Sequence, residues 1–335
     1  MTLRVGVIGL VHDHVWSQFD DWEAVAEAKI VAVADADRSL WNKVRLERSQ
    51  PTFYAAWREM LDVEPLDAVM ITTPNNAALP IVEAAVARRL PIMLEKPLAA
   101  SLTEGRSIYD TATASGEVFF VNWFTHWIPA IRTAIEIAKR GDIGRIQYFR
   151  FRIGHAGPRE IGCNPEFYKW LYDPVQNGGG ALADFGGYGA CMAAYLLGAP
   201  LGVYGLAGRY SKTDIAAEDN GLITLRYEKA VAVCEGSWTQ LSKTQIDGPI
   251  IHGDKGSISV VDGEVRYTRS LADGIENVEL MTLPAHERSG AAYFAHCIAT
   301  NSLPSGIFHP RHSLVAQGCI DAGYKAIAAK REVRY

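Results

Sequence analysis

Glu95, Lys96 and Pro97 follow directly on the apolar run from Pro91 to Leu94. Such a run reads as a short buried strand. An acid, a base and a chain-turning residue therefore arrive together where the strand stops. In an open parallel sheet, ligands collect outside the carboxyl ends of the strands. A lysine placed there gives up part of its hydration, which suits it to proton transfer. Pro97 fixes its own φ and removes a donor, so the chain turns sharply after the charged pair. On spacing alone, the competing reading is an ordinary solvated Glu-Lys pair at a strand end.

The elements that must position this turn begin at the N-terminus. Leu3 to Ile8 reads as a strand, Gly9-Leu10-Val11-His12-Asp13-His14 as a turn, and the residues to about Ala26 as a helix. Lys29 to Ala34 is a second strand ending at Asp35. This is the βαβ order of a dinucleotide site. Gly9, Leu10, Val11 and His12 would cradle the pyrophosphate at the helix N-terminus, and Asp35 would accept hydrogen bonds from the adenosine ribose. The glycine fingerprint is incomplete, because Val11 and His14 stand at its second and third glycine positions. His12, Asp13 and His14 have no further ligand cluster near them in sequence. They read as caps and solvated side chains, and no metal is expected.

The alternation continues. The chain gives a helix over Arg38 to Ser49, a short strand at Phe53-Tyr54, and a strand from Leu66 into Thr73-Pro74-Asn75. Helices over Ala77 to Arg88 and Leu102 to Ser115 flank the Pro91–Glu95 strand, with Ser101 or Thr103 as cap and Glu104 in the first turn. Val118 to Asn122 closes the set. Alternating strands and helices call for a doubly wound parallel sheet of the Rossmann type over residues 1–122.

After Asn122 the pattern changes. Pro129 to Arg140 reads as a helix ended by Gly141, and Ile146 to Ile153 as a strand. Residues 154–180 read as a long loop rich in aromatics, of the kind that carries function. A helix from about Asp184 to Leu197 precedes six strand-like runs joined by short turns, and two helices over 290–300 and 311–330 finish the chain. Residues 123–335 are expected to form an α/β unit with an open, mainly antiparallel sheet.

Composition bounds the partners. The chain has 335 residues, 48% of them hydrophobic, and a formal net charge of -5, which argues against nucleic acid or an anionic membrane. No apolar run reaches membrane-spanning length, and Met1-Thr2-Leu3 leads straight into a strand with no export signal. The five cysteines form no Cys-x-x-Cys pair and read as reduced thiols of a cytoplasmic protein.

Gly6-Val7-Ile8-Gly9, Thr73-Pro74-Asn75, Glu95-Lys96-Pro97, the segment Gly178-Gly179-Gly180 through Asp184 to Tyr188, and Gly253-Asp254-Lys255-Gly256-Ser257 fall in one order. That order resembles the glucose-fructose oxidoreductase/inositol dehydrogenase (Gfo/Idh/MocA) family over nearly the whole chain. The resemblance implies NAD binding, with NADP less favoured, by Gly9 to His12, Asp35, Thr73, Pro74, Asn75, Glu95 and Lys96. It implies hydride transfer to or from a hydroxyl or carbonyl of a sugar, inositol or related polyol. Lys96, Asp184 and Tyr188 would be catalytic, with Trp123, His126 and His155 beside them around the substrate. A homodimer or homotetramer through the C-terminal sheet is implied as well.

The residues agree with that assignment. Asp184 and Tyr188 lie four apart at a helix start and share a face. A tyrosine near Lys96 would have its phenolate stabilised by the ammonium. The departures from the family pattern are Ala78, Cys191 and His126, which point to an altered substrate. Two other readings stand beside the dehydrogenase: a non-catalytic nucleotide- or sugar-binding protein on the same fold, and an NAD-dependent glycosidase.

Overall fold

The computed structural model describes residues 2–47, 50–272 and 274–335. Its first sheet is six-stranded and parallel, formed by β1 (Leu3–Ile8), β2 (Ala28–Ala34), β3 (Thr52–Tyr54), β4 (Ala68–Ile71), β5 (Ile92–Glu95) and β6 (Phe119–Asn122), in the order β3-β2-β1-β4-β5-β6. The helices between them are α1 (His14–Glu23), α2 (Arg38–Glu47), α3 (Trp57–Val63), α4 (Ala78–Ala87) and α5 (Leu102–Ala114). Every residue of β4, β5 and β6 is buried, as strands covered on both faces require. The alternating apolar runs foretold this sheet, though not the short helix α3. Arg48 and Ser49, expected to end the second helix, lie outside the described residues, as does Met1. Of the two anticipated caps of α5, Ser101 is the one used: its Oγ accepts from the Glu104 N–H at 3.3 Å and donates to Glu104 Oε2 at 3.0 Å.

The rest of the chain builds a nine-stranded sheet. After α6 (Pro129–Arg140) and β7 (Ile146–Gly154) come α7 (Pro165–Leu171), α8 (Pro174–Asn177), a π-helical turn (Leu182–Gly186) and α9 (Gly187–Leu197). There follow β8 (Gly202–Gly208), β9 (Asn220–Arg226), β10 (Val231–Ser237), β11 (Gln245–Gly253), β12 (Ser257–Val261), β13 (Glu264–Thr268) and β14 (Glu276–Val278). Helices α10 (Gly290–Thr300) and α11 (Arg311–Ala329) and the two-residue β15 (Val333–Arg334) end the chain. The order is β14-β13-β12-β11-β7-β10-β9-β8-β15, and only β7 and β10 pair in parallel. The expected mainly antiparallel sheet is therefore present. Helices α6, α9 and α11 cover one of its faces.

Two details differ from the sequence reading. Residues 154–180 are not one long loop, because α7 and α8 interrupt them. Both helices start with proline after Asn164 or Asp173, and Asp173 accepts from the Val175 N–H at 2.9 Å. Proline at the first helical position is a start signal rather than a break. Helix α10 also returns to the first sheet: Phe294 lies 6.2 Å from Trp22 and 5.9 Å from Phe120, ring to ring. The parallel sheet thus takes a covering helix from the C-terminal part of the chain.

Candidate active site

Successive residues of a strand point to opposite sides, and the last two of this run part company. Glu95 turns toward α1, where Oε1 lies 2.8 Å from His14 Nδ1 and Oε2 accepts from the Gln18 amide. His14 and Gln18 are four apart and face the strand end together. Lys96 turns the other way and donates to Asp184 Oδ1 at 2.7 Å. Glu95 is 5% exposed and Lys96 2%. The reading of a solvated Glu-Lys pair is therefore set aside, since each charge is buried against a partner from another element.

Asp184 stands in the π-helical turn, with Oδ1 on Lys96 and Oδ2 accepting from the Trp238 indole N–H at 3.2 Å. Burial pushes its carboxyl up, but Lys96, by charge and hydrogen bond, holds it below the ordinary value. Two residues upstream the same turn is pinned by Glu218, whose Oε1 accepts from the N–H groups of Gly180 at 2.8 Å and Leu182 at 3.1 Å. Neither Trp238 nor Glu218 is recognisable from sequence. Both act through partners that only the fold brings near.

Tyr188 is fully buried one turn further on, in α9. Its ring lies 4.9 Å from Trp123 and 5.1 Å from Phe124, edge-on to both. Lys96 Nζ sits 5.4 Å from the ring centroid, over the face, and the hydroxyl has no hydrogen-bond partner among the described residues. Burial, with the charges of Glu95 and Asp184, pushes the phenol well above its usual value. The direction of that shift runs against the expected stabilisation of a phenolate by Lys96.

The other expected substrate residues divide. His155 is buried; its Nδ1 accepts from the Gly157 N–H at 2.9 Å, which leaves the ring proton on Nε2. Burial lowers its pKa, Asp184 opposes that, and Lys96 adds to it, so His155 belongs to the same electrostatic neighbourhood. Trp123 instead donates to Ser313 Oγ at 2.9 Å and forms the wall behind Tyr188. His126 sits with Arg132, Phe308 and His312; burial, then the charges of Arg132 and His312, lower its pKa to about 3.

On the dinucleotide side, Gly9 has φ +95°, and a Cβ there would lie 2.7 Å from the Thr72 carbonyl oxygen, so only glycine fits this turn. Asp35 Oδ2 accepts from the Leu10 N–H at 2.6 Å and Oδ1 from the Asp37 N–H at 2.7 Å. Burial still raises its pKa against those bonds. Thr73 Oγ1 and His12 Nε2 are buried without partners among the described residues. Asn75 reaches across to Asn177, donating to its carbonyl at 3.0 Å and its side-chain oxygen at 2.9 Å. The close approach at Gly9 and the unpartnered Thr73 hydroxyl fit a dinucleotide lying over these strand ends.

The Gly9–His14 turn is covered by α7. Trp170 donates to the Val11 carbonyl at 3.4 Å, Asp13 accepts from the Asn164 N–H at 2.7 Å and from its side-chain amide, and His12 packs 4.8 Å from Phe167. His12 is 1% exposed. The expectation of solvated histidines here is corrected for His12, whose cover lies more than 150 residues downstream.

Comparison with known proteins decides the family. The model described as the oxidoreductase family with an NAD-binding Rossmann fold matches residues 3–123, and that of the GFO/IDH/MocA C-terminal domain matches residues 131–259. The chain belongs to the Gfo/Idh/MocA family of oxidoreductases.

Among the relatives of this Gfo/Idh/MocA protein, D-xylose 1-dehydrogenase (NADP(+)) 2 of Haloferax volcanii is 28% identical over 60% of this chain and 59% of its own length. The alignment thus spans about three fifths of that relative. The scyllo-inositol 2-dehydrogenase (NAD(+)) of Bacillus subtilis is 24% identical over 90% of this chain and 88% of its own. Levoglucosan dehydrogenase in complex with NADH and levoglucosan has the same fold, with a TM-score of 0.84 at 22% identity over 100% of this chain and 99% of that one. The expectations of family, fold class and an oxidoreductase are borne out.

Proposed function

We propose that this protein oxidises or reduces a CH–OH/carbonyl pair on a sugar, inositol or related polyol with NAD, and that Lys96 carries the proton of the reacting oxygen. The buried Lys96–Asp184 contact carries this reading. A basic side chain excluded from water and held by an ionised acid at a strand end is placed for general acid-base work. Asp184 accepts from the Lys96 ammonium, and Trp238 fixes the carboxylate from the other side. The Tyr188 hydroxyl and the His155 Nε2 proton are free to orient a hydroxylated ring. A bound nicotinamide supplies the hydride acceptor or donor.

NAD is favoured over NADP because the Asp35 carboxylate would oppose a 2′-phosphate. The nearby cation, Arg38, lies 5.3 Å from the Trp41 ring centroid. Gly9 to His12, Thr73, Pro74, Asn75 and Glu95 are the residues taken to line the dinucleotide, with the division of labour falling near residue 122. The open face of the second sheet, with Tyr204 45% and Leu206 55% exposed, would seat a second copy of the chain. All five cysteines are free, in keeping with a reducing cytoplasm. No helix among the described residues is long and apolar enough to cross a membrane.

The test is NADH formation across sugars, sugar acids and inositols, with NADH oxidation by the matching carbonyl compounds. Turnover with any of these supports the reading, and inactivity across all of them sinks it.

A further inference from the structure

By spacing alone, His12 and His14 lack a third metal ligand. The fold supplies one. Glu95, 81 residues beyond His14, brings its carboxylate to the same place, and one ligating atom from each of His12, His14 and Glu95 lies within 4.8 Å of the others. We propose that these three side chains bind a first-row divalent transition metal, and that metal and dinucleotide exclude one another. The second clause rests on the cofactor reading above.

Two imidazoles and one carboxylate make a donor set suited to Zn²⁺ and its neighbours rather than to Mg²⁺ or Ca²⁺, which prefer all-oxygen sites. Bonds of about 2.0–2.1 Å to such a metal put neighbouring ligand atoms roughly 3.3 Å apart. His14 Nδ1 and Glu95 Oε1 are already 2.8 Å apart. The third ligand supplies an independent observation. His12 is 1% exposed, and its Nε2 is buried without a hydrogen-bond partner. Its Nδ1 accepts from the His14 N–H at 3.2 Å, so Nε2 is the ring nitrogen without a partner among the described residues.

The surroundings hold the ligands in place. Phe167 and Trp170 fix the His12 ring at centroid distances of 4.8 and 5.4 Å. Gln18 holds Glu95 Oε2, so Oε1, which here pairs with His14 Nδ1, is the oxygen turned toward the metal position. The His14 side chain is 34% exposed, which gives an entry path and the freedom to close the remaining gap. Asp13, between the two histidines, is occupied by Asn164. Three protein ligands leave a coordination position open, as in exchangeable rather than structural sites. His12 and Glu95, two of the three ligands, are also among the residues assigned to the dinucleotide, so one occupant displaces the other.

The experiment uses the whole chain, stripped with a chelator and free of nucleotide. Co²⁺ is titrated while its visible ligand-field bands are followed, and Zn²⁺ binding is measured by calorimetry. One ion per chain is expected. His14→Ala, at a half-buried position, should weaken binding by at least about tenfold. Glu95→Gln, which keeps the size of the side chain, should do the same. His296→Ala should not, although His296 stacks on His286 at 3.9 Å and that pair is the competing histidine cluster. Added NAD should raise the apparent metal Kd in proportion to its concentration. Absence of binding up to millimolar metal, or unchanged binding in both His14→Ala and Glu95→Gln, overturns the site. Metal bound at these residues with unchanged NAD affinity overturns the exclusion. Failure of NAD to bind the metal-free protein overturns the cofactor reading and the exclusion with it, while the metal titration decides the site separately.

Discussion

Lys96, just past the end of β5, and Asp184, in the π-helical turn, are 88 residues apart in sequence, yet they meet at 2.7 Å with side chains 2% and 5% exposed. Removing one member of a buried pair strands the other charge, at a cost of about 3–5 kcal/mol. Lys96→Met should therefore lower Tm as well as turnover, the latter by roughly 10²–10⁴ as for a positioned acid-base group. Adding Asp184→Asn to that variant should recover part of the Tm and none of the turnover. Full turnover in Lys96→Met would show that the pair only holds the two sheets together.

Tyr188 offers the contrasting case. Its hydroxyl has no partner and its phenol stays protonated, so Tyr188→Phe removes no internal hydrogen bond. Thermal stability should hold to within roughly 1 kcal/mol. The loss in kcat/KM should be smaller than for Lys96→Met. An equal loss would mean that the two side chains pass the proton between them.

His126 should make folding sensitive to mild acid. Its pKa is lowered from 6.5 to about 3 in the folded chain, so between those values the unfolded chain binds the extra proton. Stability is complete above pH 6.5 and declines as pH falls toward about 3, by at most about 1.4 kcal/mol per pH unit from this one group. Denaturant titrations of the wild type and His126→Gln at several pH values check this. A pH slope unchanged by the substitution assigns the acid sensitivity elsewhere.

Asp35 is held by the Leu10 and Asp37 N–H groups and is the group expected to reject a 2′-phosphate. Asp35→Ser should weaken NAD by about tenfold, the size of one charge-assisted hydrogen bond, and narrow the gap to NADP. Fluorescence titration with both nucleotides measures it. Tighter NADP than NAD binding in the wild type would reverse the assignment.

Much of the fold is legible in the sequence because short, wholly apolar runs such as Ala68–Ile71 and Ile92–Leu94 are what strands buried on both faces require. Lys96 is legible as the residue after such a run. The directions taken by Glu95 and Lys96 are not, because the partners that set them, Gln18 and Asp184, lie 77 and 88 residues away. The burial of His12 is hidden for the same reason, since Phe167 and Trp170 cover it from a segment that reads as loop. That reading fails for a local cause: Asn164-Pro165 and Asp173-Pro174 open helices, whereas proline inside a helix breaks one. The spacing of Tyr188 puts it on the face of Asp184, but its protonation depends on a burial that spacing does not show.

The π-helical turn at Leu182–Gly186 sets the helical phase of Asp184 relative to α9. Such a turn is equivalent to one extra residue slipped into an α-helix, and one residue is about 100° of rotation. Deleting any single position among 182, 183, 185 and 186 would leave Lys96, Asp184, Tyr188 and Trp238 all encoded. It would turn the carboxylate of Asp184 about a quarter-turn away from the ammonium or carry α9 off the sheet. Every residue of this segment is buried, so its length is as constrained as its composition.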